Sequence, residues 1–188
     1  MQVLKTKLEG VLIFELEPFV DFRGEYVEIY NEKLYKRLIH DKLKDTIYKR
    51  DALNLAFIED DISTGSKNVL KGIHGDSKTW KLVQCLFGKF YLVLVNRNPK
   101  SKDYGRWESF TLSDRNRLQV LIPPFYGNGH LVLSAYSIFH YKQSSYYNPK
   151  SQFTIRWDDP KYKISWPVKA PILSKRDAGA SVYKNVDQ

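Results

Sequence analysis

From Phe57 onward the chain repeats one unit, a short run of β-forming residues followed by a turn signal. The runs are Phe57 to Ile62, Asn68 to Ile73, Trp80 to Phe87, Lys89 to Asn96, Arg106 to Leu112, Arg117 to Ile122, Gly129 to Leu133, Ser137 to Tyr141 and Thr154 to Trp157. Gly88 and Asp114 fall where hairpin turns are needed, and Pro123-Pro124 ends a strand because proline cannot donate to a ladder. Such spacing, sustained over roughly a hundred residues, predicts an all-β sandwich or barrel.

The segment before it has a different texture. Residues 11–16 form an apolar strand pattern stopped by Pro18, and Asp21-Phe22-Arg23-Gly24 reads as a turn. Tyr26 to Tyr30 alternates as a strand does. Asn31 then stands as an N-cap, with Leu34, Leu38 and Ile39 at helical spacing and the helix ending before Asp45. The tail from Pro167 is irregular, and residues after Asp177 are expected to be partly disordered. The expected organisation is one domain, with an N-terminal arm and helix over 1–56, a barrel over 57–160 and a C-terminal tail over 161–188.

Bulk properties narrow the function classes. The net charge is +9, from 30 basic and 21 acidic residues, so an anionic partner is plausible. The charge is dispersed, however, with no zinc-ligand spacing, RNA-binding aromatic signature or basic helical arm, and no nucleic-acid partner is expected. No apolar run is long enough to span a bilayer, and Met1 to Gly10 lack the layout of a signal peptide. The lone cysteine, Cys85, lies in a strand pattern and reads as buried, which fits a reducing, cytoplasmic setting.

The chemistry concentrates around Lys71-Gly72-Ile73-His74-Gly75 and the strand that begins at Lys81. An imidazole can take a proton from carbon, and an ammonium can stabilise the resulting oxyanion. Each residue alone also reads as a loop histidine or a surface lysine. Of the four histidines, His40 falls on the helix, and His140 points away from its neighbour Tyr141 across a strand. There is no His-X-His pair, and no metal or other cofactor is expected. Tyr141 opens a tyrosine-rich tract reaching Tyr147 and can supply an acid. In Trp157-Asp158-Asp159-Pro160 a carboxylate can accept the second N–H of His74.

Together these pieces resemble the nucleotide-sugar 3,5-epimerases, the family of dTDP-4-keto-6-deoxy-glucose 3,5-epimerase. The resemblance rests on Asp21-Phe22-Arg23-Gly24, Val69-Leu70-Lys71-Gly72-Ile73-His74 and Lys81-Leu82-Val83-Gln84-Cys85. It continues through Ser101 to Trp107, Tyr141 to Pro149, Trp157 to Pro160, Trp166-Pro167 and Leu173-Ser174-Lys175-Arg176-Asp177. It implies a metal-free cupin jelly roll, usually a homodimer, acting on a nucleotide-diphospho-4-keto-sugar. By the same resemblance His74 is the base, Asp159 orients it, Lys81 stabilises the enolate and Tyr141 is the acid. Arg23 and Lys71 are expected to hold the diphosphate, with Phe22, Glu25, Ser63, Asn128 and His130 also on the substrate.

Five positions depart from the family pattern. Lys71 replaces an arginine, which removes bidentate phosphate geometry. Asn128 stands at the usual histidine position, and His130 at the usual phenylalanine position. Glu59 and Asp61 replace amides on the nucleotide side. Carboxylates complement the N–H groups of guanine, so a GDP-linked sugar is expected, such as a 4-keto-heptose for capsule polysaccharide, with a dTDP-4-keto-6-deoxy-hexose otherwise. Inversion at C3 alone is the nearest alternative. A nucleotide-sugar-binding cupin without catalysis is the alternative of another class.

Overall fold

The computed structural model describes residues 1–179, and the expected disorder past Asp177 falls almost wholly outside the described residues. The chain begins with β1 (Gln2–Lys5), β2 (Leu12–Glu15), β3 (Phe19–Asp21) and β4 (Gly24–Tyr26), followed by helices α1 (Glu32–Leu43) and α2 (Lys49–Leu53). Strands β5 (Glu59–Ser66), β6 (Leu70–Gly75), β7 (Lys81–Phe87), β8 (Lys89–Asn96) and β9 (Trp107–Ser113) come next. Then follow β10 (Leu118–Ile122), β11 (Tyr126–Val132), β12 (Tyr136–Gln143), the short β13 (Phe153–Thr154) and helix α3 (Lys175–Ala178).

Two antiparallel sheets make the jelly roll. One has the order β1-β2-β10-β7-β12-β5, the other β13-β6-β11-β8-β9, and β3 and β4 form a separate hairpin. Alternation along each strand divides the residues between faces. On β7, Lys81, Val83 and Cys85 point into the barrel, while Leu82 and Gln84 point out toward α1. Cys85 is buried, as its strand pattern predicts.

Helix α1 exists because the outer face of the six-stranded sheet needs a cover. Asn31 caps it by accepting the Leu34 N–H at 3.1 Å. Its buried stripe is Tyr35, Ile39 and Leu43, not the Leu34-Leu38-Ile39 stripe expected from aliphatic spacing. Tyr35 wins because its ring stacks on Phe14 at 4.9 Å, while its hydroxyl donates to Gln119 Oε1 at 2.5 Å. Burying Ile39 and Leu43 contributes about 1.5–3 kcal/mol each.

Beneath the helix runs a buried polar chain. Gln119 Nε2 donates to Gln84 Oε1 at 2.9 Å, Gln84 Nε2 lies 2.7 Å from His140 Nδ1, and His140 Nε2 lies 2.5 Å from Asp60. His140 and Tyr141 therefore point to opposite faces, as expected. The strand expected over Tyr26 to Tyr30 stops at Tyr26, because the chain leaves its short hairpin there to reach the cap of α1. Strand β1 pairs with β2 in the main sheet although its sequence carries no strong strand signal.

Candidate active site

A cavity of about 380 Å³ opens between the two sheets. It is lined by His74 and Lys71 from β6, Lys81 from β7, Asn128 and His130 from β11, and Tyr141 from β12. The base and acid candidates thus come from opposite sheets.

Local sequence explains how β6 and β7 deliver their groups. Gly72 has φ +115°, and a Cβ there would meet Gly129 Cα at 2.6 Å and Asn128 O at 2.7 Å. Only glycine lets β6 lie this close to β11, which turns His74 into the cavity. The turn out of β6 is tied by Asp76, whose Oδ1 accepts the N–H groups of Lys78 and Thr79 at 2.8 and 2.7 Å. Lys81 then enters as the first residue of β7.

Asp177 is the carboxylate that holds His74. Its Oδ1 lies 2.6 Å from His74 Nε2, and its Oδ2 accepts the Gly72 N–H at 3.2 Å. Burial works to raise the Asp177 carboxyl, but the bond to His74 and the imidazole's charge outweigh it and hold it below the usual carboxylate range. Ser174 caps α3 by accepting the Asp177 N–H at 3.1 Å, so the short helix aims the carboxylate. The expectation that Asp159 orients His74 is corrected. Asp159 is buried in its own turn, accepting the Lys161 N–H at 2.9 Å. The signal for Asp177 was in the sequence, as the last residue of Leu173-Ser174-Lys175-Arg176-Asp177.

Lys81 is 9% exposed, and its ammonium donates to Asn128 Oδ1 at 3.2 Å. Burial lowers its pKa, against the raising effect of Asp76. Tyr141 is pushed up to about 12, by burial first and then by Asp61 and Glu59 across the strand pair, so it stays protonated. Lys71 donates to Ser63 Oγ at 2.7 Å and to the Thr64 carbonyl at 2.8 Å. His130 is buried by parallel stacking on Phe139 at 4.1 Å, and burial together with Lys71 and His74 lowers its pKa to about 3.

Two groups of expected substrate residues lie elsewhere or are engaged. Glu59 and Asp61 face inward but are not free: Gln143 Nε2 donates to them at 2.6 and 3.1 Å, and the Tyr147 N–H donates to Glu59 at 3.1 Å. Phe22, Arg23 and Glu25 belong to the β3–β4 hairpin, away from the cavity of their own chain. Arg23 pairs with Asp21 at 2.6 Å, Glu25 pairs with Arg117, and Phe22 is 98% exposed. Sequence reasoning missed Arg176, which lines the cavity and donates to Thr154 Oγ1 at 3.1 Å.

The arrangement can abstract a proton from carbon, stabilise an oxyanion and return a proton from another side. Comparison with known proteins agrees. A family model described as dTDP-4-dehydrorhamnose 3,5-epimerase matches residues 5–185. The dTDP-4-dehydrorhamnose 3,5-epimerase of Salmonella typhimurium is 36% identical over 184 residues, covering 96% of this chain and 94% of that protein. That of Shigella flexneri is 32% identical over 190 residues, covering 100% and 98%. Among solved structures, the Legionella pneumophila dTDP-6-deoxy-D-glucose-3,5-epimerase in complex with dTDP-4-keto-L-rhamnose superposes with a TM-score of 0.85 at 32% identity, covering 95% of this chain and 90% of that one. The chain belongs to the dTDP-4-dehydrorhamnose 3,5-epimerase family and is a sugar epimerase.

Proposed function

We propose that this enzyme inverts C3 and C5 of a dTDP-4-keto-6-deoxy-hexose. His74 removes the proton alpha to the C4 ketone. Lys81 stabilises the enolate oxygen, in a buried setting where an ammonium acts strongly. Tyr141 gives a proton to the carbon from the other face, then recovers one from solvent as His74 releases its own. Lys71 is the cavity cation placed for the diphosphate. The observation that carries this reading is the placement of a carboxylate-held imidazole and a protonated phenol on opposite sheets of one cavity, with an ammonium on its wall.

The thymidine nucleotide is inferred from the relatives. A GDP-linked 4-keto-heptose for surface polysaccharide is the second reading, favoured by the inward-facing carboxylates of Glu59 and Asp61. It is weakened because Gln143 and the Tyr147 N–H already engage them.

The β3–β4 hairpin supports a homodimer. It exposes Phe19, Val20, Phe22 and Tyr26, and Arg23 is absent from the lining of its own cavity, so its proposed role on the diphosphate is assigned to the cavity of a second copy.

The deciding experiment is deuterium incorporation in D2O into dTDP-4-keto-6-deoxy-glucose and a GDP-4-keto-heptose. Exchange at two carbons of the dTDP sugar is expected. Exchange at C3 alone would make the enzyme a 3-epimerase, and exchange of the GDP sugar alone would install the second reading. Binding with no exchange of either would leave a non-catalytic cupin.

A further inference from the structure

We propose that His130 is a specificity residue for the sugar: its ring hydrogen-bonds the C2 hydroxyl of the bound 4-keto-sugar and so selects against 2-deoxy sugars. The inference rests on the epimerase reading above.

His130 is 95% buried, being 5% exposed, yet its ring lines the cavity. Phe139 stacks parallel to one face at 4.1 Å, and Phe90 packs nearby at 5.4 Å. These contacts pin the ring and leave its edge as its polar part. Among the described residues no protein group hydrogen-bonds that edge, and its nitrogens are not among the buried atoms sealed off without a partner. A desolvated polar group left unpaired costs about 1–3 kcal/mol, so a ligand that pairs with it is favoured over one that does not. The ring stays neutral at working pH, with its pKa lowered to about 3 by burial and by Lys71 and His74. A neutral imidazole both donates and accepts, which suits a hydroxyl.

Strand register says which hydroxyl. Lys71 is the register partner of His130, while His74 is the partner of Asn128. Phe139 pairs with Ser63 and Tyr141 with Asp61. The inward side chains therefore stack in layers. Lys71, His130, Phe139 and Ser63 make one layer, and His74, Asn128 and Tyr141 make the next. Lys81, opposite Gln143, lies one step further in the same direction. A sugar with its C4 oxygen at Lys81 and its C1 diphosphate at Lys71 has C3 and C5 in the middle layer. C2 then falls beside His130. A phenylalanine there would keep the stacking and offer no partner to the hydroxyl.

The test compares the wild-type enzyme, His130→Phe and His130→Gln. Deuterium exchange is measured on 4-keto-6-deoxy-glucose and its 2-deoxy analogue, each linked to the nucleotide that the wild type turns over. The wild type should prefer the 2-hydroxy sugar in kcat/KM by on the order of 100-fold, the size of one buried hydrogen bond. His130→Phe should reduce that preference to under about fivefold, and His130→Gln should retain at least about tenfold of it. An equal loss on both sugars in His130→Phe would make His130 structural and overturn the inference, leaving the epimerase intact. No wild-type exchange with any 4-keto-sugar would overturn the epimerase reading itself. If neither variant folds, ring 15N shifts of wild-type His130 decide. They should move with the 2-hydroxy ligand and not with the 2-deoxy one, and equal responses would overturn the inference.

Discussion

His74 Nε2 lies 2.6 Å from Asp177 Oδ1, across a sequence separation of 103 residues. The contact is nearly enclosed, with the Asp177 side chain 4% exposed and that of His74 24%. A carboxylate so placed fixes the ring's tautomer and stabilises the imidazolium that forms when a carbon proton is taken. Asp177→Asn should lower the exchange rate by about 10²–10⁴-fold with little change in nucleotide affinity. Asp159→Asn should leave the exchange rate of folded enzyme near wild type. Solvent exchange and calorimetry on both variants check this, and the reverse order of damage would restore Asp159 as the orienting residue.

In the proposed mechanism Lys81 and Tyr141 must both be protonated to act, but they lose their protons at different pH. Burial moves the Lys81 ammonium below its ordinary 10.5, whereas burial and Asp61 move Tyr141 up to about 12. Activity should therefore fall as pH rises through the lowered lysine pKa, before the phenol titrates. The alkaline limb of kcat/KM should persist in whatever exchange activity Tyr141→Phe retains. A limb that disappears with the phenol would assign it to Tyr141 instead.

Tyr141→Phe removes the proposed proton donor and leaves the proposed base. His74 can still take a proton and return one to the same face. Exchange without inversion should therefore survive, while inverted product falls about 100-fold or more. Parallel NMR of deuterium content and sugar stereochemistry reads the two quantities. Loss of both together would place Tyr141 in binding instead of proton return.

The buried neutral His130 couples folding to acid. Its folded pKa of about 3 lies below the ordinary 6.5, so the unfolded chain binds the extra proton between those values. Stability should fall as pH drops through that window, by at most about 1.4 kcal/mol per pH unit from this residue. His130→Phe should flatten the slope of denaturation midpoints between pH 6 and 4, and an unchanged slope would mean that the ring is hydrated in the cavity.

A homodimer with exchanged hairpins has a sharp consequence. Arg23→Ala and His74→Asn should each be poorly active alone. In a mixed dimer, the Arg23→Ala subunit's cavity keeps His74 and receives an intact hairpin from its partner. Mixing and refolding the two variants should restore activity to a substantial fraction of wild type. No rescue, or a monomer by light scattering, would remove the hairpin from the site.

Much of this architecture was legible in the chain. Strand patterns from Phe57 to Trp157 gave an all-β sandwich or barrel because alternation and turn chemistry are local, and the family resemblance narrowed it to a jelly roll. Asn31 announced helix α1 for the same reason. His74, Lys81 and Tyr141 were found from motifs, and the cavity unites them. What local reading missed depends on distant pairing. The buried stripe of α1 is set by the Phe14 and Gln119 partners of Tyr35, which lie on other strands. The choice between Asp159 and Asp177 turns on where a C-terminal segment docks, and spacing along the chain carries no such information. The carboxylates of Glu59 and Asp61 looked available until the fold placed Gln143 opposite them.

The docking of α3 on β6 has a temporal side. Among the described residues every strand of both sheets is complete by Thr154, whereas the carboxylate that holds His74 comes at position 177. During synthesis the barrel can close around an imidazole that is not yet held. Chains interrupted between those points would present a cavity able to receive a nucleotide-sugar and a base unfit to act on it. The segment that holds the proposed base thus follows the barrel in sequence, and a chain cut before Ser174 is expected to bind a nucleotide-sugar without exchanging its protons.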